Sequence, residues 1–281
     1  MLFVWLLFPS LTSICISMPT ALITGASRGL GLEWVKQLSA KGWTVYAACR
    51  AGADAESLAG IAKVTPVALD VSDAASVATL TGVLEAVSLD LLVNNAGIRP
   101  EECGPDKKIS EIDFAAMQGV LTTNMIGPMR VLAACLPALQ RASAFKVVNI
   151  SSALGSCALA QHTRRCFHNI GGGAGGGTDI AYRSSKAGLN MATALAALEL
   201  SESYPQSIVV TMDPGWVATD MGLRGGKDAP PLNAVDAVRM NIERMEGLTT
   251  ADTGTYVSGP RGSPSVQEDL SVQYNASVLL W

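Results

Sequence analysis

The chain has 281 residues, a length that suits one α/β domain with appendages or two small domains. With 49% hydrophobic and only 16% charged residues, it can bury a large core, which excludes a disordered chain. Lys and Arg total 20 against 24 Asp and Glu, a net charge of −4, so no nucleic-acid partner is expected. Six dispersed cysteines without a CxxC pair read as reduced thiols. The two histidines, His162 and His168, share one short segment, which removes the base from most Ser-His-Asp and Cys-His schemes.

Residues 1–17 are an apolar N-terminal extension. Leu2 to Phe8 is an unbroken apolar run without Lys or Arg ahead of it. Pro9, Ser10, Thr12 and Ser13 interrupt it before the roughly 20 apolar residues of a bilayer span accumulate, so no stable membrane span is expected. The reading adopted is a dispensable leader on a cytoplasmic protein; the alternative is a leader directing secretion or an organelle.

From Thr20 onward, short apolar β-branched runs alternate with helical periodicity, the pattern of a mainly parallel sheet with helices on both faces. Strands are expected at Thr20–Thr24, Trp43–Ala48, Val64–Leu69, Leu89–Val93, Lys146–Ile150 and Ser207–Met212, with a weak one around Thr255–Ser258. Helices are expected at Arg28–Ala40, Asp73–Val87, Glu111–Arg141, Tyr182–Glu202 and Ala234–Met245. This makes one doubly wound α/β domain over 18–258, followed by a tail over 259–281. Within the domain, 157–178 is a glycine-rich insert expected to be a flexible loop, and Met221–Pro231 is expected to be a lid over a site at the strand ends.

Thr24-Gly25-Ala26-Ser27-Arg28-Gly29-Leu30-Gly31 places a Gly-x3-Gly-x-Gly turn at the first strand–helix junction. Glycines there let backbone approach a pyrophosphate, and the helix start supplies N–H groups for it. Dinucleotide sites carry an acid about 20 residues further on for a free ribose hydroxyl, or a cation for a 2′-phosphate. Here that stretch reads Cys49-Arg50-Ala51-Gly52, so Arg50, with Arg28, favours NADP(H); the other reading has Asp54 as the ribose acid.

Tyr182-Arg183-Ser184-Ser185-Lys186 sets a phenol and an ammonium four residues apart on one helical face. The ammonium is expected to pull the Tyr182 pKa down towards neutrality, making a general acid. Asn94-Asn95-Ala96-Gly97, Asn149-Ile150-Ser151-Ser152 and Asp213-Pro214-Gly215 each close a strand, at the edge where open α/β sheets bind ligands.

Together these motifs resemble the short-chain dehydrogenase/reductase family over about residues 18–258, most nearly its sniffer-type and C-factor-like carbonyl reductases. The resemblance implies a Rossmann-like fold and a catalytic tetrad of Asn124, Ser152, Tyr182 and Lys186. Tyr182 would protonate a carbonyl oxygen, Ser152 would hydrogen-bond it, Lys186 would hold the nicotinamide ribose and acidify Tyr182, and Asn124 would support a water relay to Lys186. It further implies cofactor contacts from Gly25, Ser27, Arg28, Gly29, Leu30, Gly31, Asp70, Val71, Asn95, Ala96, Gly97, Pro214, Gly215, Val217 and Thr219, besides Tyr182 and Lys186. Asp70 would receive the adenine amine, or else cap the following helix. The implied activity is NADPH-dependent reduction of a small-molecule aldehyde or ketone; the alternative is a dinucleotide-binding signalling or scaffold protein. A homodimer or homotetramer is implied by the same likeness.

The chain departs from the family pattern in two places. Ser152 and Tyr182 are separated by 182 − 152 = 30 positions, well beyond the usual dozen or so, and a displaced chain end follows an insertion after Gly259. Cys157, His162, Cys166 and His168 lie close together in the insert, but their spacing matches no common zinc pattern, and no metal site is expected.

Overall fold

A computed structural model describes residues 18–104, 107–157, 179–223 and 230–258, with the side chains of 53–55 left aside. The expectations for 1–17, for the insert beyond Cys157, for most of the Met221–Pro231 lid and for the tail lie outside the described residues, as do His162, Cys166 and His168.

Seven parallel strands form one sheet: β1 Thr20–Thr24, β2 Thr44–Cys49, β3 Val64–Ala68, β4 Leu91–Asn94, β5 Lys146–Ile150, β6 Ile208–Asp213 and β7 Tyr256–Ser258. Their spatial order is β3-β2-β1-β4-β5-β6-β7, so the direction of winding reverses between β1 and β4. The doubly wound expectation holds, and that reversal, beyond the carboxyl ends of the strands, is where open α/β sheets bind their ligands.

The helices are α1 Gly29–Ala40, α2 Ala74–Ala78, α3 Leu80–Val83, α4 Phe114–Leu121, α5 Gly127–Leu139, α6 Ile180–Ser203, α7 Asp220–Leu223 and α8 Ala234–Glu246. Side chains alternate across the sheet. On one face Ala21, Ile23, Val45 and Val210 meet Trp34 and Leu38 of α1 and Val238 and Ile242 of α8. On the other, Leu22, Leu92, Val147 and Val209 meet Leu80, Val131, Cys135, Leu139 and Leu200. Each such side chain fully withdrawn from water stabilises the domain by about 1.5–3 kcal/mol before chain entropy is counted.

Side-chain caps explain the starts of α2, α4 and α8. Asp113 accepts N–H bonds from Ala115 and Ala116 at 2.8 and 3.2 Å, starting α4 three residues later than expected, because Glu111 turns back to the Lys108 N–H in a separate 3₁₀ turn. The long helix expected over Glu111–Arg141 is interrupted by a π turn at Thr122–Ile126. The one expected over Asp73–Val87 breaks at Thr79, whose hydroxyl bonds back to the Ser76 carbonyl at 2.7 Å. The stretch Phe114–Leu139 is long and apolar enough to cross a membrane by composition, but here Val120, Val131, Leu132, Cys135 and Leu139 are core residues.

Candidate active site

The chain leaves β1 at Thr24 and turns at Gly25, where φ is +65°, a left-handed conformation that suits glycine. A Cβ on Gly25 would lie 2.9 Å from the Ala96 Cα, and one on Gly31 would run into the Gly25 carbonyl. The turn therefore packs against the loop after β4 with no room for a side chain. Thr24 Oγ1 accepts the N–H groups of Asn95 and Ala96, both at 3.0 Å, and the Asn95 amide donates to the carbonyls of Thr24 and Gly25 at 3.0 and 3.2 Å. These bonds tie the ends of β1 and β4 together across the winding reversal.

Unlike α2, α4 and α8, helix α1 has no side-chain cap: Arg28 occupies the cap position without accepting a bond, and no acid stands in the first turn. Its leading N–H groups are thus left for an anion, with the positive end of the helix dipole behind them. The tight glycine cradle and uncapped helix fit the pyrophosphate of a dinucleotide. Ser27 holds its carbonyl on the Ser57 hydroxyl at 2.6 Å, and Leu30 packs against the core. Thr219, from the loop after β6, reaches the same turn: its methyl lies 3.6 Å from where a Gly29 Cβ would stand.

Arg50 is exposed just beyond β2. Arg28 is exposed too and pairs with Asp220 at 3.4 Å, a contact that water largely screens. Asp70 accepts the Ser72 hydroxyl and N–H at 2.6 and 2.9 Å. Those two bonds, with a smaller pull from Arg50, hold its carboxyl below the usual value. The cap of α2 is Asp73, not Asp70, so the helix-cap alternative for Asp70 fails. Val71 is buried beside it, against Gly127.

Beyond β5 the two neighbouring serines part ways. Ser151 is buried and bonded to Asn190, whereas Ser152 is half-buried and caps a 3₁₀ turn over Ala153–Gly155, accepting the Leu154 N–H at 3.2 Å. A Cβ on Gly155 would sit 2.8 Å from the Lys186 backbone, so this turn rests directly on α6. That contact sets the half-buried Ser152 beside Tyr182, where its hydroxyl pulls the phenol towards the ionised form, although the two residues are 30 positions apart in the chain. Lys186 is buried one turn further along and donates to the Ile150 carbonyl at 2.7 Å.

Asn124 lies in the π turn and is fully buried. Its oxygen accepts the Ile98 N–H at 2.8 Å, and its nitrogen donates to the Ile98 carbonyl and the Ser185 hydroxyl at 2.9 and 3.1 Å. The amide is committed to latching the loop after β4, including Gly97, onto α6, and its hydrogen bonds go to Ile98 and Ser185 rather than to Lys186. Pro214 and Gly215 follow β6; Gly215 adopts φ +81° and donates its N–H to Asp213 at 3.1 Å, while Val217 pairs with Leu232 as an isolated bridge.

The electrostatics differ from the expectation in one respect. Burial pushes the Tyr182 phenol up to about 12, and the cation that pulls against this is Arg99, not Lys186. Lys186 Nζ lies over the same ring, 5.6 Å from its centroid, and its own burial lowers it to about 8 against the attraction of Asp213. Asp213, enclosed among Lys186, the Tyr256 hydroxyl and the Ala153 and Gly215 N–H groups, has its carboxyl raised by burial.

Sequence reasoning missed Arg99, Asp179, Asp213 and Tyr256. Asp213 stands in a motif that the sequence marks, but only for the Pro-Gly that follows it. Nothing in the sequence couples Arg99 to Asp179, which are 80 positions apart.

The comparisons agree with this geometry. A family model for short chain dehydrogenase matches residues 19–163, a stretch that ends before Tyr182 and Lys186. C-signal of Myxococcus xanthus is 37% identical over 169 residues, covering 60% of this chain and 87% of that protein. Among solved structures, an NADPH-bound carbonyl reductase from chicken fatty liver has TM-score 0.73 at 30% identity, covering 86% of this chain and 96% of its own. The carbonyl reductase Sniffer of D. melanogaster has TM-score 0.70 at 28% identity, covering 86% and 97%. With its glycine cradle, winding reversal and Ser152–Tyr182 contact, the chain belongs to the short chain dehydrogenase family of oxidoreductases and is similar to its Sniffer-type carbonyl reductases.

Proposed function

We propose that the protein is an NADPH-dependent reductase of small aldehydes or ketones, with Tyr182 as the proton donor. The observation that carries this reading is the convergence of Ser152, Tyr182 and the buried Lys186 at the carboxyl edge of the sheet: the Ser152 turn rests on the Lys186 backbone, and Lys186 Nζ lies 5.6 Å from the centroid of the Tyr182 ring. The turn from Gly25 to Gly31 would hold the pyrophosphate, Arg50 and Arg28 the 2′-phosphate, Asp70 and Val71 the adenine, and the loops at Asn95–Gly97 and Pro214–Thr219 the nicotinamide half. NADPH bound there supplies hydride to the carbonyl carbon.

The chain's own task is to manage the oxygen. Ser152 donates a hydrogen bond to it, and Tyr182 delivers its phenolic proton as negative charge develops, so that no free alkoxide forms. Lys186, fixed on the Ile150 carbonyl, keeps positive charge beside the ring and would bind the ribose hydroxyls; Asn124, its side-chain amide already committed to Ile98 and Ser185, would serve a water relay to Lys186 through its backbone in the π turn. A phenol at about 12 is a poor donor near neutrality, so the bound state has to add positive charge or hydrogen bonds.

Oxidation of NADPH with a panel of aldehydes, ketones and quinones, measured beside Tyr182→Phe, tests the reading. Loss of about 10²-fold or more in the variant is expected; equal rates overturn it. Tight NADPH binding with no turnover of any carbonyl would favour the signalling or scaffold alternative.

A further inference from the structure

Arg99 follows the Asn94–Gly97 turn, and Asp179 stands immediately before α6 with φ +54°. The two form a buried ion pair with an N–O distance of 2.6 Å, side chains 7% and 2% exposed. The pair bridges the loop after β4 to the first turn of the helix that carries Tyr182. The same guanidinium lies over the Tyr182 ring, 5.3 Å from its centroid. Arg99 Nε donates to Asp179 Oδ2 at 2.7 Å and the paired Nη faces the same oxygen, so among the described residues the other carboxylate oxygen, Oδ1, is left without a hydrogen-bond partner, which is costly in so buried a setting.

We propose that Arg99, anchored by Asp179, is a positioning residue for the Tyr182 phenol: it fixes the ring beneath its guanidinium and eases release of the hydroxyl proton, while Asp179 limits that effect. This rests on the reading of Tyr182 as the acid. A cation over an aromatic face attracts a neutral phenol and attracts a phenolate more, since the ring then carries net negative charge. Asp179, paired with that guanidinium, works the other way. Burial raises Tyr182, Arg99 lowers it, and Asp179 raises it less than Arg99 lowers it. The other groups facing Tyr182 are Lys186 from α6, Asp213 from the end of β6 and Tyr256 from β7; Arg183 and Cys103 face Asp179. None of these residues is itself substituted when the pair is altered, so removal of each partner is expected to move the phenol in opposite directions.

The experiment is the pH profile of kcat/KM for alcohol oxidation with NADP, in which the rising limb reports loss of the Tyr182 proton. Arg99→Met should move that limb up by about one pH unit, and Asp179→Asn should move it down by a similar amount. Asn tolerates the left-handed backbone at that position. Arg99→Lys, which keeps the charge, should return the limb towards the parent position. Alkaline titration of the unliganded protein, read as tyrosinate absorbance relative to Tyr182→Phe, should show the same order without turnover. Limbs that stay put, or move the same way in both variants while Tyr182→Phe is inactive, overturn the proposal and leave the acid assignment standing. Full activity of Tyr182→Phe overturns both. If Arg99→Met does not fold, Asp179→Asn decides: a limb unmoved or moved upward refutes the proposal.

Discussion

Gly155→Ala probes how the two hydroxyls are brought together. The added methyl would stand 2.8 Å from the Lys186 carbonyl carbon and Cβ and 3.0 Å from the Ala187 nitrogen, where ordinary contact begins near 3.4 Å. The obstacles are mostly helix backbone, which cannot swing aside, so the 3₁₀ turn has to lift off α6 by about half an ångström or more. Overpacking of this kind costs about 1–3 kcal/mol, or a fall in Tm of roughly 2–10 °C for a domain of this size. Ser152 heads that turn and moves with it, away from Tyr182. Misplacement by about 1 Å can cost roughly 10²-fold in rate, so a shift half as large should lower kcat by about tenfold. The glycine cradle is untouched, and NADPH affinity should stay within about twofold by titration of cofactor fluorescence. Unchanged kcat in a protein whose Tm has fallen would show that the contact between turn and helix does not position Ser152, and the account of how the 30-residue gap is bridged would be wrong.

Arg50→Asp should weaken NADPH binding by about 10–100-fold, the worth of charge-assisted bonds to a phosphate, and leave NADH binding nearly unchanged; calorimetric titration showing equal losses for both cofactors refutes the phosphate assignment. Lys186→Met should abolish turnover and change the pH dependence of stability. Lys186 releases its proton at about 8 in the folded chain against 10.5 ordinarily, so between those values the unfolded chain binds more protons and stability rises with pH. The buried charge costs about 3 kcal/mol near pH 7; the gap in unfolding free energy between wild type and variant should change by about 1 kcal/mol between about pH 7 and pH 9, in favour of wild type, and a constant gap counts against it. Arg99→Met leaves Asp179 buried and unpaired, and chemical denaturation should show a loss of about 3–5 kcal/mol, whereas a loss within about 0.5 kcal/mol would mean that the carboxyl finds water or a proton.

The order of strands and helices was legible because each buried strand is a short β-branched run bounded by turn residues, and β1 and β5 match their expected limits to the residue. The residues proposed to meet a cofactor or substrate were legible for a related reason: they sit at strand ends, where the chain must turn, and glycine or a capping hydroxyl leaves a local trace. What the sequence did not reveal depends on contacts between distant segments. The acidity of Tyr182 was expected from Lys186 because four residues on a helix share a face, yet the ammonium turns to the Ile150 carbonyl and the cation that acts on the phenol is Arg99, over the same ring. Spacing along one helix specifies neighbours, not the direction in which a long flexible side chain settles. The break at Thr79 and the π turn around Asn124 escaped notice because the apolar period continues through both.

The π turn has a consequence for the numbering of the chain itself. A wide turn at Thr122–Ile126 holds one residue more than a regular helical turn, so the long helical stretch carries a surplus position between two otherwise orderly halves. The wide turn absorbs that surplus: were the same residues wound as plain α-helix, in which each position advances by about 100°, the Phe114–Leu121 half would be rotated by roughly that angle against the Gly127–Leu139 half and one of them would turn its oily side to water. The irregularity is therefore a phase-setting element: excising one residue from the wide turn should leave both halves facing their present neighbours, whereas excising one from either regular half should not.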